Sequence, residues 1–221
     1  MASEVDISNL ALSMLGEEAD VVSISPPDTV NSGHCKRFYP LARDAMLERY
    51  PWTFATTRAP LALLDLDELP PEWAYAYARP QCLKVVAVFP PSVIQTSTPS
   101  GAIFNREEWI KRARAFPFEC EALDSGEEVI YTNIEDATAL YVRRVTDAGK
   151  FRPLFVTALA RLLAAHLAGT VIKGTVGVKV AEGHLKAFEQ VDLPRAQTSD
   201  ASNSHNSAYD TFTPSSIAAR S

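Results

Sequence analysis

Between Asp28 and Ala55, apolar residues recur at intervals of three and four. That spacing places Cys35, Phe38, Tyr39, Leu41, Ala42, Ala45, Met46 and Leu47 on one face of a helix. Lys36, Arg37, Arg43, Asp44, Glu48 and Arg49 fall mostly on the opposite, solvated face. Asp28 or Thr29 can cap the start by accepting from the free amides of the first turn. Tyr50-Pro51 ends it, because the residue before a proline is pushed out of the helical region. Pro40 lies inside the pattern and predicts a kink rather than a stop, since the apolar face continues beyond it. Trp52, Phe54 and Ala55 follow at once as a bulky anchor at a helix-to-strand corner.

Upstream, Val5 to Leu15 reads as a short helix with Ser3 as its cap and Gly16 at its end. Glu17 to Pro27 reads as a loop whose Val21, Val22 and Ile24 tuck against the long helix. From Phe54 to Val145 helical periodicity gives way to short apolar runs parted by Pro, Gly and Ser. Strands are predicted over Ala59 to Leu64, Leu83 to Phe89, Phe118 to Ala122, Glu127 to Thr132 and Thr138 to Val145. Ser125-Gly126 is the expected hairpin turn between the third and fourth. The fifth alternates as a half-exposed strand would. Pro90 to Pro99 reads as a long surface loop.

Phe151 to Ile172 returns to helix and is apolar nearly all round. Arg161 and His166 near its centre make a membrane span expensive, so a buried central helix is expected, with a carboxylate on a neighbouring helix as partner for Arg161. Gly174 to Gly177 reads as a link to a last helix, Val178 to Val191, with Val180, Leu185, Phe188 and Val191 inside and Pro194 as its stop. Beyond it, sparse anchors among Ser, Thr, Asn and Asp predict a tail that does not order alone. The expected fold is α+β: an antiparallel bundle of about four helices, an inserted small β-rich subdomain and an extended C-terminal tail. The units are residues 1–52, 53–150, 151–193 and 194–221.

Composition adds exclusions. A net charge of −6 over 221 residues argues against a general duplex-binding protein, which needs a basic face to displace counterions. Cys35, Cys82 and Cys120 are odd in number and far apart, so neither a disulfide framework nor a zinc site is legible, and buried free thiols are expected. The polar, acidic N-terminus does not read as a signal peptide.

Candidate chemistry is sparse. Gly169, Gly174, Gly177 and Gly183 lack the Lys-Ser/Thr of a phosphate loop. The four histidines have no ligand spacing, and His34 and Cys35 point about 100° apart on a helix. Glu119 and Glu121, two apart on a predicted strand, share a face and are the one carboxylate pair with a geometric argument. Arg106, Lys111, Arg112 and Arg114 surround Trp109 in the one basic-aromatic cluster; a solvated face is the plainer reading, and a nucleic-acid packaging accessory the sharper one. No catalytic residue, metal or cofactor is expected.

The order of the aromatic anchors carries a resemblance. Tyr50-Pro-Trp-Thr-Phe-Ala-x-x-Arg-Ala-x-Leu61 is followed by Trp73-x-Tyr-x-Tyr-x-x-Pro80, Cys82-Leu-Lys-Val85, Ala139-Leu-Tyr-Val142 and Phe151-x-Pro-Leu-Phe155. This series, over roughly residues 5 to 190, resembles the tail tubular protein A family of short-tailed bacteriophages. None of its pieces is a catalytic motif; Trp52, Phe54, Trp73, Tyr75, Tyr77 and Phe155 are core anchors. The resemblance implies a non-enzymatic virion protein, assembled in the host cytoplasm into the tail. In that family subunits form a ring of twelve copies that joins the portal to the tail nozzle protein and passes genomic DNA through its lumen, without a membrane. Its helical bundle docks to the portal and its β-rich part faces the nozzle. Tyr209, Phe212 and Ile217 in the tail are the expected portal contacts. Some tail adaptors with a similar helical core are described as cell-wall glycosidases, which makes Glu119 and Glu121 the residues of an alternative, enzymatic reading.

Overall fold

Ser3 opens the first helix. In the computed structural model, which describes residues 2–66, 68–91 and 116–202, the Ser3 hydroxyl accepts from the Asp6 amide at 3.1 Å. The Asp6 carboxylate accepts in return from the Ser3 amide at 2.9 Å. This reciprocal cap starts α1 (Glu4–Met14), and Gly16, at φ 77°, follows its end. Val21 and Ile24 enter the core as expected, but Val22 is 81% exposed. Neighbouring residues of an extended segment face opposite ways, so burying Val21 turns Val22 out.

Thr29, not Asp28, caps α2 (Val30–Arg49): its hydroxyl accepts from the Ser32 amide at 3.1 Å. Asp28 instead accepts from the Val22 amide. The helix runs through Pro40. Cys35, Tyr39, Ala42, Met46 and Leu47 are buried as the spacing requires, whereas Leu41 and Ala45 are exposed. Arg43, expected on the solvated face, is buried. It lies one turn beyond Tyr39, at the flank of the stripe, and Asp44 bonds both Arg43 and Arg144 at 2.9 Å. The corner after α2 is locked by Trp52, whose indole N–H donates to the Met46 carbonyl at 2.9 Å. That bond satisfies one of the carbonyls the helix end leaves open.

Among the described residues, seven strands form two antiparallel sheets. The three-stranded sheet has the order β1 (Thr56–Pro60), β7 (Thr138–Val142), β4 (Lys84–Phe89). The four-stranded sheet has the order β2 (Leu63–Leu64), β3 (Tyr75–Ala78), β6 (Glu128–Thr132), β5 (Phe118–Ala122). The predicted strand Ala59 to Leu64 is thus two strands in different sheets. β3, whose small and aromatic residues alternate, has no counterpart among the predicted strands. β7 is central and buried on both faces, with Leu140 and Val142 toward the helices and Ala139 toward the second sheet. Its alternation therefore does not mark a half-exposed strand. The Ser125-Gly126 hairpin forms as expected, with Gly126 at φ 84° and the Leu123 amide donating to the Glu127 carbonyl at 2.8 Å. A bulge between Val85 and Ala87 lets both Val86 and Ala87 face the main core.

α3 (Pro153–Val171) starts with proline at its first position, where no amide partner is needed, and packs against α1, α2 and the helix that follows. Phe155, Leu159, Leu162, Leu163 and Leu167 are buried along it. The link is shorter than expected: Lys173 (φ 57°) and Gly174 (φ 64°) turn the chain, and α4 (Gly174–Ala187) begins at once. A wider π turn, Phe188–Asp192, follows, in which the Leu193 amide reaches back to the Phe188 carbonyl. The helix then continues as α5 (Leu193–Ser202). Pro194 does not stop it, because the hydrogen-bonding register has already shifted at the π turn, just before the ring. Residues 194–202, expected in the tail, therefore belong to this helix. Leu193, Ala196 and Asp200 are buried.

The inner face of the last helix also differs from expectation. Phe188 is buried, but Leu185 and Val191 are exposed and Val180 is only half-buried. α4 meets α3 through Gly177 instead, where an added Cβ would sit 2.8 Å from the Ala168 carbonyl oxygen. Backbone proximity, rather than an apolar stripe, joins the two helices. The chain is α+β, and one core runs continuously from the helices into the three-stranded sheet.

Candidate functional site

The anchors of the aromatic series converge on the corner after α2. Trp52 meets Phe155 edge to face at 4.9 Å, Phe54 meets Phe155 at 5.1 Å, and Phe151 meets Phe155 at 4.8 Å. Trp52 and Phe155 are buried and Phe54 is half-buried. In the second sheet Tyr77 is buried, and its hydroxyl donates to the Ile134 carbonyl at 2.8 Å. Trp73 and Tyr75 are half-buried at that sheet's margins.

The C-terminal helix is bolted to this corner by polar groups. Asp200, 1% exposed, accepts from the Thr53 amide at 2.8 Å and from the Thr53 hydroxyl at 2.6 Å, and lies 3.5 Å from Arg152 at the head of α3. A second node holds the π turn. Arg161 of α3 pairs with Asp192 and lies 3.4 Å from His184 Nδ1, so the carboxylate partner expected for Arg161 is present. Desolvation, helped by the Arg161 charge, keeps His184 below its ordinary pKa, although a hydrogen bond to the Met14 backbone works the other way. Arg49, at the end of α2, reaches Glu189 at 3.3 Å and lies over the Phe188 ring.

Outside the core, large apolar side chains remain exposed: Leu41 on α2, and Val176, Val178 and Leu185 on α4, with Val191 just beyond.

A pocket of about 560 Å³ opens where the two sheets part, lined by Gln81, Cys82, Leu83, Glu128, Arg143 and Arg144. Arg79 pairs with Glu128 beside it. The three thiols do not share the buried state expected of them: Cys35 is buried, Cys82 is half-buried and Cys120 lies exposed on an edge strand. Burial pushes the Cys35 thiol up, as it does the other two, where the Arg79 charge partly opposes it.

Glu119 and Glu121 share the face of β5 that points away from the space between the sheets, and both are exposed. Tyr209, Phe212 and Ile217 lie outside the described residues, as do Arg106, Trp109, Lys111, Arg112 and Arg114 and most of the Pro90 to Pro99 loop. The Asp200–Thr53–Arg152 node has no sequence signature, since its members are far apart in the chain. No group of three or more metal-ligating side chains occurs among the described residues. No family model matches the chain, and no curated protein matches it either.

Proposed function

We propose that this protein is a structural virion protein, the subunit of a tail adaptor ring that joins the portal to the tail nozzle and lines part of the DNA ejection channel. The observation that carries the reading is the aromatic corner. The residues through which the chain resembles the tail tubular protein A family, Tyr50 to Phe54 and Phe151 to Phe155, are the ones that join the long helix, the first sheet and the C-terminal helix. In this reading the helices act as an antiparallel bundle of about four, with the β-rich insertion at one end. The exposed apolar residues of α2 and α4 are covered by neighbouring copies in the ring. The net charge of −6 suits a channel subunit, because a wall that repels phosphate does not trap DNA in transit.

Tyr209, Phe212 and Ile217 are the proposed portal anchors. The informative truncation is after Ser202, since Ala196 and Asp200 belong to the packed helix. Mixed with the portal ring, the intact chain binds as a discrete ring, and the truncated chain binds at least tenfold more weakly. Equal binding by the two would remove the tail from the interface.

A further inference from the structure

β5 closes one side of the four-stranded sheet and pairs with β6 alone. Its ladder fixes which backbone groups look outward. The Leu123 amide donates to the Glu127 carbonyl, and the Glu128 carbonyl is taken by the Arg79 amide on the β3 side of β6. Bonded pairs alternate along an antiparallel ladder, so Glu119 and Glu121 bond β6, while Phe118, Cys120 and Ala122 turn their amides and carbonyls to the open edge. None of these three has a hydrogen-bond partner on that edge among the described residues. The side chains alternate with the backbone. Phe118, Cys120 and Ala122 stand on the face shared with Ile130, which packs between the sheets with Val88 and Ala139. Phe118 is half-buried there, whereas Cys120 and Ala122 are exposed, so this row of uncharged side chains runs out into solvent. Glu119 and Glu121 stand on the other face, both exposed and without an ion pair among the described residues. Such an edge is a template for one more strand. Two copies of β5 do not suit one another: matching their outward groups sets the carboxylates of one against the carboxylates of the other.

We infer that the open edge of β5 is a strand-docking site for an extended segment of a partner protein in which basic residues alternate with apolar ones. The segment bonds to the outward amides and carbonyls of Phe118, Cys120 and Ala122. Its Lys or Arg side chains fall opposite Glu119 and Glu121, and the apolar residues between them fall beside Cys120 and lengthen the row that starts at Phe118. β5 is already held in its extended form before the segment arrives. Val129, Ile130, Tyr131 and Thr132 of β6 are buried beneath it, and the Ser125-Gly126 turn joins the two strands. Only the incoming segment therefore loses freedom on docking. The site rests on the ladder and its charges, and is independent of the adaptor reading.

Two short fluorescent peptides of the same composition, added to the full chain and followed by anisotropy, test the site. In one, Lys and Val alternate; in the other they stand in separate blocks. The alternating peptide binds about tenfold more tightly than the blocked one. Cys120→Pro removes one outward amide and leaves the β6 ladder intact, and it weakens binding of the alternating peptide by about tenfold. Glu119→Lys with Glu121→Lys, both at exposed positions, transfers binding to an alternating Glu-Val peptide. Equal binding of the two Lys-Val peptides would reduce the site to diffuse charge attraction. A Cys120→Pro chain that unfolds at the same temperature and binds as tightly would take the edge out of it. Failure of the charge-reversed chain to change peptides would overturn the assignment even if the proline variant does not fold. Self-association of the chain that Cys120→Pro abolishes would make a second copy the occupant instead. Portal binding is measured separately, so failure here leaves the adaptor reading standing, and the reverse.

Discussion

Two glycines of one helix make opposite predictions. Replacing a helix-interior glycine with alanine gains about 0.5–1 kcal/mol, because the backbone has less freedom to lose. Gly183 has nothing within 4 Å of an added Cβ, so Gly183→Ala takes that gain in full. At Gly177 the new Cβ would lie 2.8 Å from the Ala168 carbonyl oxygen and 3.5 Å from the Gly169 Cα. Both obstacles are backbone of α3, which cannot swing aside as a side chain could. Overpacking costs about 1–3 kcal/mol, and against backbone that cannot move aside the upper half of that range applies, which leaves a net loss of about 1–2 kcal/mol. For a chain of this size that is a fall in Tm of roughly 2–8 °C, against a rise for Gly183→Ala. Thermal unfolding followed by circular dichroism reads both. If Gly177→Ala is as stable as Gly183→Ala, α3 and α4 do not meet through their backbones, and the account of that interface is wrong.

Tyr39 is 1% exposed and its hydroxyl has no hydrogen-bond partner among the described residues, so Tyr39→Phe is expected to stabilise by about 1 kcal/mol in urea unfolding. Asp200→Ala leaves the Thr53 amide and hydroxyl without their acceptor, for a loss of about 1–3 kcal/mol. Limited proteolysis should then cut first within α5; unchanged protection would show that the polar node does not hold that helix. Burial keeps His166 and His184 below their ordinary value of 6.5, with Arg161 adding to the effect at His184. The unfolded chain therefore takes up these protons first. Stability is flat above about pH 6.5 and falls as pH drops from there toward the folded values. A urea midpoint that is lower at about pH 5.5 than at about pH 7.5, with a smaller difference in His184→Gln, checks the sign.

What the sequence made legible follows local rules. The Ser3 cap, the Thr29 cap, the Gly126 hairpin and the Trp52 corner each depend on residues within a few positions of one another. The Arg161 partner was also inferable, because a cation on a buried helix needs a carboxylate wherever it comes from. The features that escaped depend on distant neighbours. β7 alternates like a half-exposed strand, yet lies between helices and a second sheet, and no local pattern reports the layer beyond. The sequence of α4 reads as an apolar inner stripe only if burial goes with large side chains, whereas the helix packs through Gly177 and leaves Leu185 and Val191 outside. Pro194 reads as a stop unless the π turn before it is known.

The central claim is tested most directly by light scattering on the purified chain, alone and mixed with a candidate portal ring. The account predicts a chain that is small by itself and joins the portal as one discrete assembly of many copies. A chain whose mass is the same with portal as without it would contradict the adaptor reading.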